Sequence, residues 1–312
     1  MGRLRWNSML GEWVIMTPRR ADRPFQEEGV KCPFCPNGEE TKGNWDVLTV
    51  NNEFPALTPD SGPIPLHEDI VIEAPAFGAC KVIITSRKHD EQIENMKGKH
   101  VHRVLQEYLR VFKELDEREG VEYVAQFENR GKAIGVSQDH PHAQVYALPF
   151  VPPKIEREVQ QFAAKWESEE VCLLCETIEN ETKAAVRVVK ETKNFVATVP
   201  FSARLPYEMH IYPKMHVGSL IELEGVFSEL GVLVRDTVTR YSALFDENAY
   251  VMIMHTRPSK GEYPYWHFHI EFYPPWRDRS RRKHLAGIEE GTGTYTNDSI
   301  PELTARELRE AI

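Results

Sequence analysis

Histidines and cysteines carry most of the reactive chemistry in this chain, and they occur twice in the same order. Cys32 and Cys35 are separated by two residues, as are Cys172 and Cys175. After the first pair a β-like run from Lys81 ends at His89, and His140-Pro141-His142 follows; after the second a run from Met209 ends at His216, and His267-Phe268-His269 follows. His89 precedes His140 by 51 residues (140 − 89), the interval that separates His216 from His267 (267 − 216). An order repeated with a shared interval indicates a duplicated unit. The length difference between the copies falls before the strand-end histidine, in a stretch holding Pro55, Pro59, Pro63 and Pro65.

Two thiolates two residues apart, joined by two imidazoles, can complete a tetrahedral shell. Soft sulfur with borderline nitrogen selects zinc over magnesium. The candidate first site is Cys32, Cys35, His89 and His140, and the repeat supplies a second in Cys172, Cys175, His216 and His267. Four protein ligands leave no position for activated water, so the expected role is structural. Redox exchange or plain packing are the other readings of a Cys-x-x-Cys pair. The fifth cysteine, Cys80, sits in an apolar stretch and reads as a buried thiol.

The segment from Phe127 to Tyr146 places Gly131, Gly135 and Ser137 where backbone could approach phosphate oxygens, then alternates polar groups along a strand. Period-two alternation puts His140, His142 and Gln144 on one face. His140 can serve the metal while His142 faces a ligand. A neutral imidazole is a competent nucleophile near pH 7, and attack on an α-phosphorus gives a phosphorus–nitrogen bond that can be passed on. Gln144 can donate to a phosphate oxygen but cannot protonate a leaving group. A sugar phosphate is a weak base that needs little protonation, so Gln is tolerated there. Ser137 and Asn129 are candidate phosphate or sugar contacts, with turn formation as the plainer reading. The triplet itself could instead be two metal ligands, or one ligand and one packed ring.

Apolar residues three and four apart predict a helix within Ile93–Glu119 and a counterpart within Val217–Leu244. Short alternating strands surround each. The expected fold is α+β with mainly antiparallel sheet and one main helix per unit. The halves, residues 1–155 and 156–312, should pack as one body, because each alone would leave a sheet edge and an apolar face uncovered. The formal net charge of −10 in 312 residues argues against a general nucleic-acid binder. A few arginines can still hold a small phosphorylated ligand. No apolar run is long enough for a membrane span, and the first residues lack the apolar stretch of a signal peptide, so a cytoplasmic location is expected.

The run Glu128-Asn129-Arg130-Gly131 through Ser137 to His140-Pro141-His142-Ala143-Gln144 resembles the active-site signature of galactose-1-phosphate uridylyltransferases, a branch of the histidine-triad superfamily. Similar segments extend over nearly the whole chain, among them Gly11 to Val14, Pro18 to Pro24, Asn52 to Leu57 and Phe272 to Pro275. The resemblance implies duplicated histidine-triad-like units and a ping-pong reaction, UDP-glucose plus galactose 1-phosphate giving UDP-galactose plus glucose 1-phosphate. His142 would be uridylylated, Gln144 would steady the phosphoryl group, and Ser137 and Asn129 would contact phosphates. Arg20, Arg23, Asn52 and Glu53 would hold the nucleotide, and Lys283 the sugar phosphate. It further implies zinc on Cys32, Cys35, His89 and His140, and a homodimer whose pocket draws on both subunits.

The chain departs from the family pattern in places. Where some relatives bind a second metal through a Glu and three His, it offers Glu158, His255 and His269 but has Glu271 in the last position. Val136 stands where many relatives have Cys, and Gly291 to Tyr295 diverges in the region that recognises the hexose phosphate. The competing readings are a phosphorolytic enzyme acting on ADP-glucose through the same histidine, a histidine-triad hydrolase, and a non-catalytic zinc-stabilised nucleotide-binding module. The hydrolase is disfavoured by Gln144, which stands where such hydrolases carry another histidine.

Overall fold

A hairpin of β1 (Arg3–Asn7) and β2 (Glu12–Met16) begins the chain, followed by β3 (Leu48–Asn51), β4 (Glu73–Pro75) and β5 (Ala79–Ile84). This computed structural model describes residues 2–18, 32–36, 38, 41–60 and 71–312; Arg20 and Arg23 lie outside them. Helix α1 (Gly98–Asp116) leads to β6 (Tyr123–Arg130) and β7 (His142–Leu148). The second half continues through α2 (Pro153–Glu169), α3 (Leu173–Ala184), β8 (Val188–Glu191), β9 (Phe195–Thr198) and β10 (Met209–Pro213). Helix α4 (Phe227–Leu244), β11 (Tyr250–His255), β12 (His269–Tyr273), α5 (Gly287–Thr292) and α6 (Pro301–Glu310) complete it.

Among the described residues, nine strands form one antiparallel sheet in the order β3-β5-β7-β6-β11-β12-β10-β9-β8, and β2-β1-β4 form a small second sheet. The pattern β3-β5-β7-β6 reappears in reverse as β11-β12-β10-β9, as a pseudo-two-fold axis between β6 and β11 requires. Those two strands pair from Tyr250 opposite Arg130 to Met254 opposite Gln126, so the halves share backbone hydrogen bonds. Each thereby covers the edge the other would expose. The duplicated α+β architecture matches the expectation from sequence.

Helices α1 and α4 lie side by side on one face. The α1 stripe of Val101, Val104, Leu105, Tyr108, Leu109, Phe112 and Leu115 is buried, with 3.6-residue spacing turned onto the sheet. A Cβ at Gly231 of α4 would sit 3.0 Å from Val101, so the missing side chain lets the helices approach closely. One apolar core includes both helices and strands of both halves, from Ile83 and Val145 to Ile211 and Ile270.

Both expected helices fall within the predicted ranges and fill only part of them. Residues Ile93–Asn95 form a 3-10 turn, after which Met96 and Lys97 are extended and α1 begins at Gly98. A 3-10 segment, Leu220–Val226, likewise precedes α4, with the Ser219 hydroxyl accepting from the Ile221 N–H at its start. Helices α2 and α3 are additional to the one main helix expected per unit. They bury few apolar residues, Ile155 and Phe162 in α2 and Ile178 in α3, too few to print a stripe in the sequence. Pro153 opens α2, where a missing N–H costs nothing.

Candidate active site

Alternation along β7 sorts its side chains between the two sheet faces. Ala143, Val145 and Ala147 are fully buried in the core beneath the helices, whereas His142 and Gln144 line a cavity on the other face. The apolar wall of that cavity is Pro33, Phe34, Val50, Val82 and Ile84, and Asn52, Glu53, Ser137 and Gln138 give it a polar rim. His142 also lines a second cavity, walled mostly by polar and charged residues, among them Asn129, Arg130, Lys132 and His140. It therefore stands where the two cavities meet.

The Nδ1 of His142 lies 2.8 Å from the carbonyl oxygen of His140. A carbonyl only accepts, so Nδ1 carries the proton and the lone pair resides on Nε2. The phenol of Tyr146, two residues beyond Gln144 on the same face, donates to Gln144 Oε1 at 3.4 Å. That contact orients the amide so that its NH2 is available to an anion. Phe34 lies against the nucleophile candidate, its ring centroid 5.0 Å from that of His142.

Cys35 Sγ is 3.6 Å from Nδ1 of both His89 and His140. In the second half Cys172 Sγ is 3.6 Å from His267 Nδ1, and Cys175 Sγ is 3.4 Å from Nδ1 of both His216 and His267. Tetrahedral zinc with ordinary Zn–S and Zn–N bonds requires an S···N edge of about 3.6 Å. Three of the rings donate from Nε2 to backbone carbonyls, His140 to Ser86 (2.8 Å), His216 to Pro264 (2.9 Å) and His267 to Pro213 (2.9 Å), which turns the Nδ1 lone pairs toward the sulfurs. Burial and the adjacent Cys172 push the Cys175 thiol up to about 12, and burial brings His267 down to about 4. A divalent cation would reverse the first tendency and make use of the second. Both sets thus fit zinc in spacing, tautomer and donor chemistry.

A third set converges at Glu158, His255, His269 and Glu271, with one donor atom from each within 4.8 Å of the others. His255 bridges the carboxylates through Nδ1 to Glu158 (2.8 Å) and Nε2 to Glu271 (3.1 Å). Burial alone would lower the pKa of His255, but Glu271 and Glu158 outweigh it and raise it to about 9. Lys154, in the first turn of α2, pairs with Glu271 and donates to the Tyr273 hydroxyl.

Most of the candidate site residues come together; Lys283 does not. Its side chain is buried between Glu289 (3.2 Å) and Asp298 (3.3 Å), and it lines neither cavity beside His142. Cys80 is buried, as its apolar setting implied. Phe34, Tyr146 and Gln138 are further site residues beyond the sequence candidates. Strand alternation carries a signal for Tyr146, and the zinc spacing one for Phe34 between its two cysteines.

A fold with two equivalent halves, a strand histidine poised through its Nε2 between two cavities and a glutamine two residues on defines the class of duplicated histidine-triad proteins. The chain belongs to the galactose-1-phosphate uridyl transferase family: the family's N-terminal domain matches residues 2–152 and its C-terminal domain residues 156–311. It is 36% identical to a galactose-1-phosphate uridylyltransferase of Thermotoga maritima over 99% of this chain and 98% of the relative. With an ADP-glucose phosphorylase of Arabidopsis thaliana it shares 28% identity, over 98% and 92% of the two chains. A solved uridylyltransferase structure superposes with a TM-score of 0.90 at 32% identity, covering 100% of this chain and 98% of the other. The structure of the Arabidopsis phosphorylase with bound ADP-glucose gives 0.78 at 27%, covering 99% and 98%.

Proposed function

We propose that this chain transfers a uridylyl group from UDP-glucose to galactose 1-phosphate through a covalent intermediate on His142. His142 Nε2 attacks the α-phosphorus; the bond to the bridging oxygen breaks and glucose 1-phosphate leaves. A phosphate oxygen of galactose 1-phosphate then attacks the same phosphorus and releases the imidazole, giving UDP-galactose. The observation that carries this reading is the His142 Nδ1–H donated to the His140 carbonyl, which presents Nε2 as the nucleophilic atom. The nucleoside occupies the slot walled by Phe34, Val50 and Val82, with Asn52 and Glu53 on its rim, and Arg20 and Arg23 belong to the same role. Gln144 and Ser137 hold the transferred phosphoryl group, and Asn129 faces the sugar-phosphate side.

In this reading the two Cys2His2 sets hold zinc, which crosslinks the chain near the cavities and takes no part in the chemistry. Glu158, His255 and His269 remain an alternative metal set, with Glu271 as the fourth donor. The halves are residues 1–155 and 156–312. The protein works as a cytoplasmic homodimer without nucleic-acid partners; among the described residues no helix is long and apolar enough to cross a membrane. A sugar-phosphate contact by Lys283 would require its release from Glu289 and Asp298. A donor comparison tests the function: glucose 1-phosphate is released from UDP-glucose when galactose 1-phosphate is the acceptor. Release from ADP-glucose with inorganic phosphate, and none from UDP-glucose, would replace this reading with phosphorolysis.

A further inference from the structure

The segment between Asn129 and His142 contributes Ser137 and Gln138 to the slot beside His142, yet it contains no regular element longer than the 3-10 turn Lys132–Ile134. Something outside it must hold its shape. Gly131 precedes the turn at φ +87°, and a Cβ there would lie 2.5 Å from Ala249 Cβ and 2.8 Å from Glu247 Oε1. The Glu247 carboxylate accepts the Ala133 backbone N–H at 3.0 Å. Glu247 and Asn248 also line the polar cavity that His142 shares with Asn129 and Gly131. These contacts come from the turn joining α4 to β11, which belongs to the second half.

The geometry points to Glu247 as a positioning residue for the proposed transfer reaction. Its carboxylate caps the 3-10 turn of the first half and thereby fixes where Ser137 meets the transferred phosphoryl group. This role rests on the uridylyl-transfer reading. The attachment around it is reinforced: Asn248 donates to Glu94 Oε1 (3.2 Å), and Glu94 holds Arg130 through both guanidinium nitrogens at 2.6 and 2.8 Å. Arg130 opposes Tyr250 in the β6–β11 pairing, so the turn and the strand ends below it form one unit. The nucleophile's neighbourhood is therefore shaped by a residue 114 positions from the backbone it holds. A misplacement of about 1 Å in a phosphate-binding group costs up to about 100-fold in rate.

The test is the single-turnover rate of covalent labelling by saturating UDP-glucose in the wild-type protein, Glu247→Ala and Glu247→Gln, with UDP affinity, zinc content and melting temperature measured on each. Glutamine keeps a carbonyl oxygen that can accept the Ala133 N–H. The expected result is a fall of about 10- to 100-fold for alanine, with glutamine within a few-fold of wild type and with zinc content and melting temperature held. Wild-type labelling by the alanine variant would overturn the assignment. So would equal impairment of both variants, which would make the charge, not the accepting oxygen, the operative feature. If the wild-type protein takes no label, the functional reading falls, and UDP affinity still decides the positioning role: equal affinity in wild type and Glu247→Ala overturns it.

Discussion

At His142 and at His269 the chain builds the same corner twice, and the two copies differ in the charge of the residue two positions on. Each histidine donates from Nδ1 to the carbonyl two residues earlier, at 2.8 Å for His142 and 3.0 Å for His269. Each lines a cavity on the sheet face. Strand pairing makes the positions correspond: Gln144 opposes Val82 and Val82 opposes Val50, while Glu271 opposes His210 and His210 opposes Thr198. The apolar slot floor of the first half is thus His210, Thr198 and Tyr212 in the second, and the neutral amide has become a carboxylate. Glu158 and Glu181 add two more acidic side chains to that second cavity.

The consequence is electrostatic. Burial alone would raise the pKa of Glu271, but His255 and His210 hold it well below the carboxylate range. A buried carboxylate facing a phosphate at about 4 Å costs on the order of 1 to 4 kcal/mol, depending on how much water remains. His269 is moreover buried, and its Nε2 faces Glu158 and Glu271. The histidine geometry is therefore the same in both halves, whereas the residue two positions on is an amide in the first and a buried carboxylate in the second. The second corner keeps the same scaffold and surrounds its histidine with Glu158, His255 and Glu271.

The sharpest way to break this contrast is to remove each histidine in turn. His142→Ala should lower exchange turnover by at least about 10⁴-fold, and His269→Ala by less than about tenfold provided the chain stays folded. Steady-state assays with UDP-glucose and galactose 1-phosphate read both. Next in size is Gln144→Glu, which gives the first corner the second corner's carboxylate. It should cost about 10²- to 10³-fold through repulsion of the phosphate and loss of the amide donor, whereas Glu271→Gln should leave exchange near wild type. A rate for Gln144→Glu equal to wild type would remove charge as the distinction between the halves.

Zinc removal probes what the halves share. Metal analysis should find zinc at both Cys2His2 sets, and chelation should lower the melting temperature by more than about 10 °C, since structural zinc contributes folding free energy directly. Cys32→Ser should also slow labelling, because its set includes His140, whose carbonyl holds His142; Cys172→Ser should act on stability alone. Equal kinetic effects from the two cysteines would contradict the separation. The smallest effect belongs to Tyr146→Phe, which loses the 3.4 Å contact to Gln144. A two- to fivefold fall in kcat is expected, corresponding to about 0.5–1 kcal/mol.

What could be read from the sequence was whatever local spacing encodes. The Cys-x-x-Cys pairs, the 51-residue interval and the strand alternation around His142 fall within one unit, so each leaves a pattern in the chain. The α1 stripe was legible for the same reason. The pairing of Arg130 with Tyr250, the capping of Ala133 by Glu247 and the contact of Lys154 with Glu271 join residues more than a hundred positions apart, and no periodicity announces them. Lys283, which the resemblance named, is held by Glu289 and Asp298 from the following segment, away from both cavities. Arg20 and Arg23 fall outside the described residues.

The central claim is that His142, and not its twin, carries the nucleotide. Intact-mass spectrometry after mixing the chain with UDP-glucose alone, followed by peptide mapping, measures it. The account predicts one added uridylyl group on the wild-type protein and on His269→Ala, located on His142, absent from His142→Ala and discharged by galactose 1-phosphate. A label that survives in His142→Ala, or that maps to His269, would contradict it.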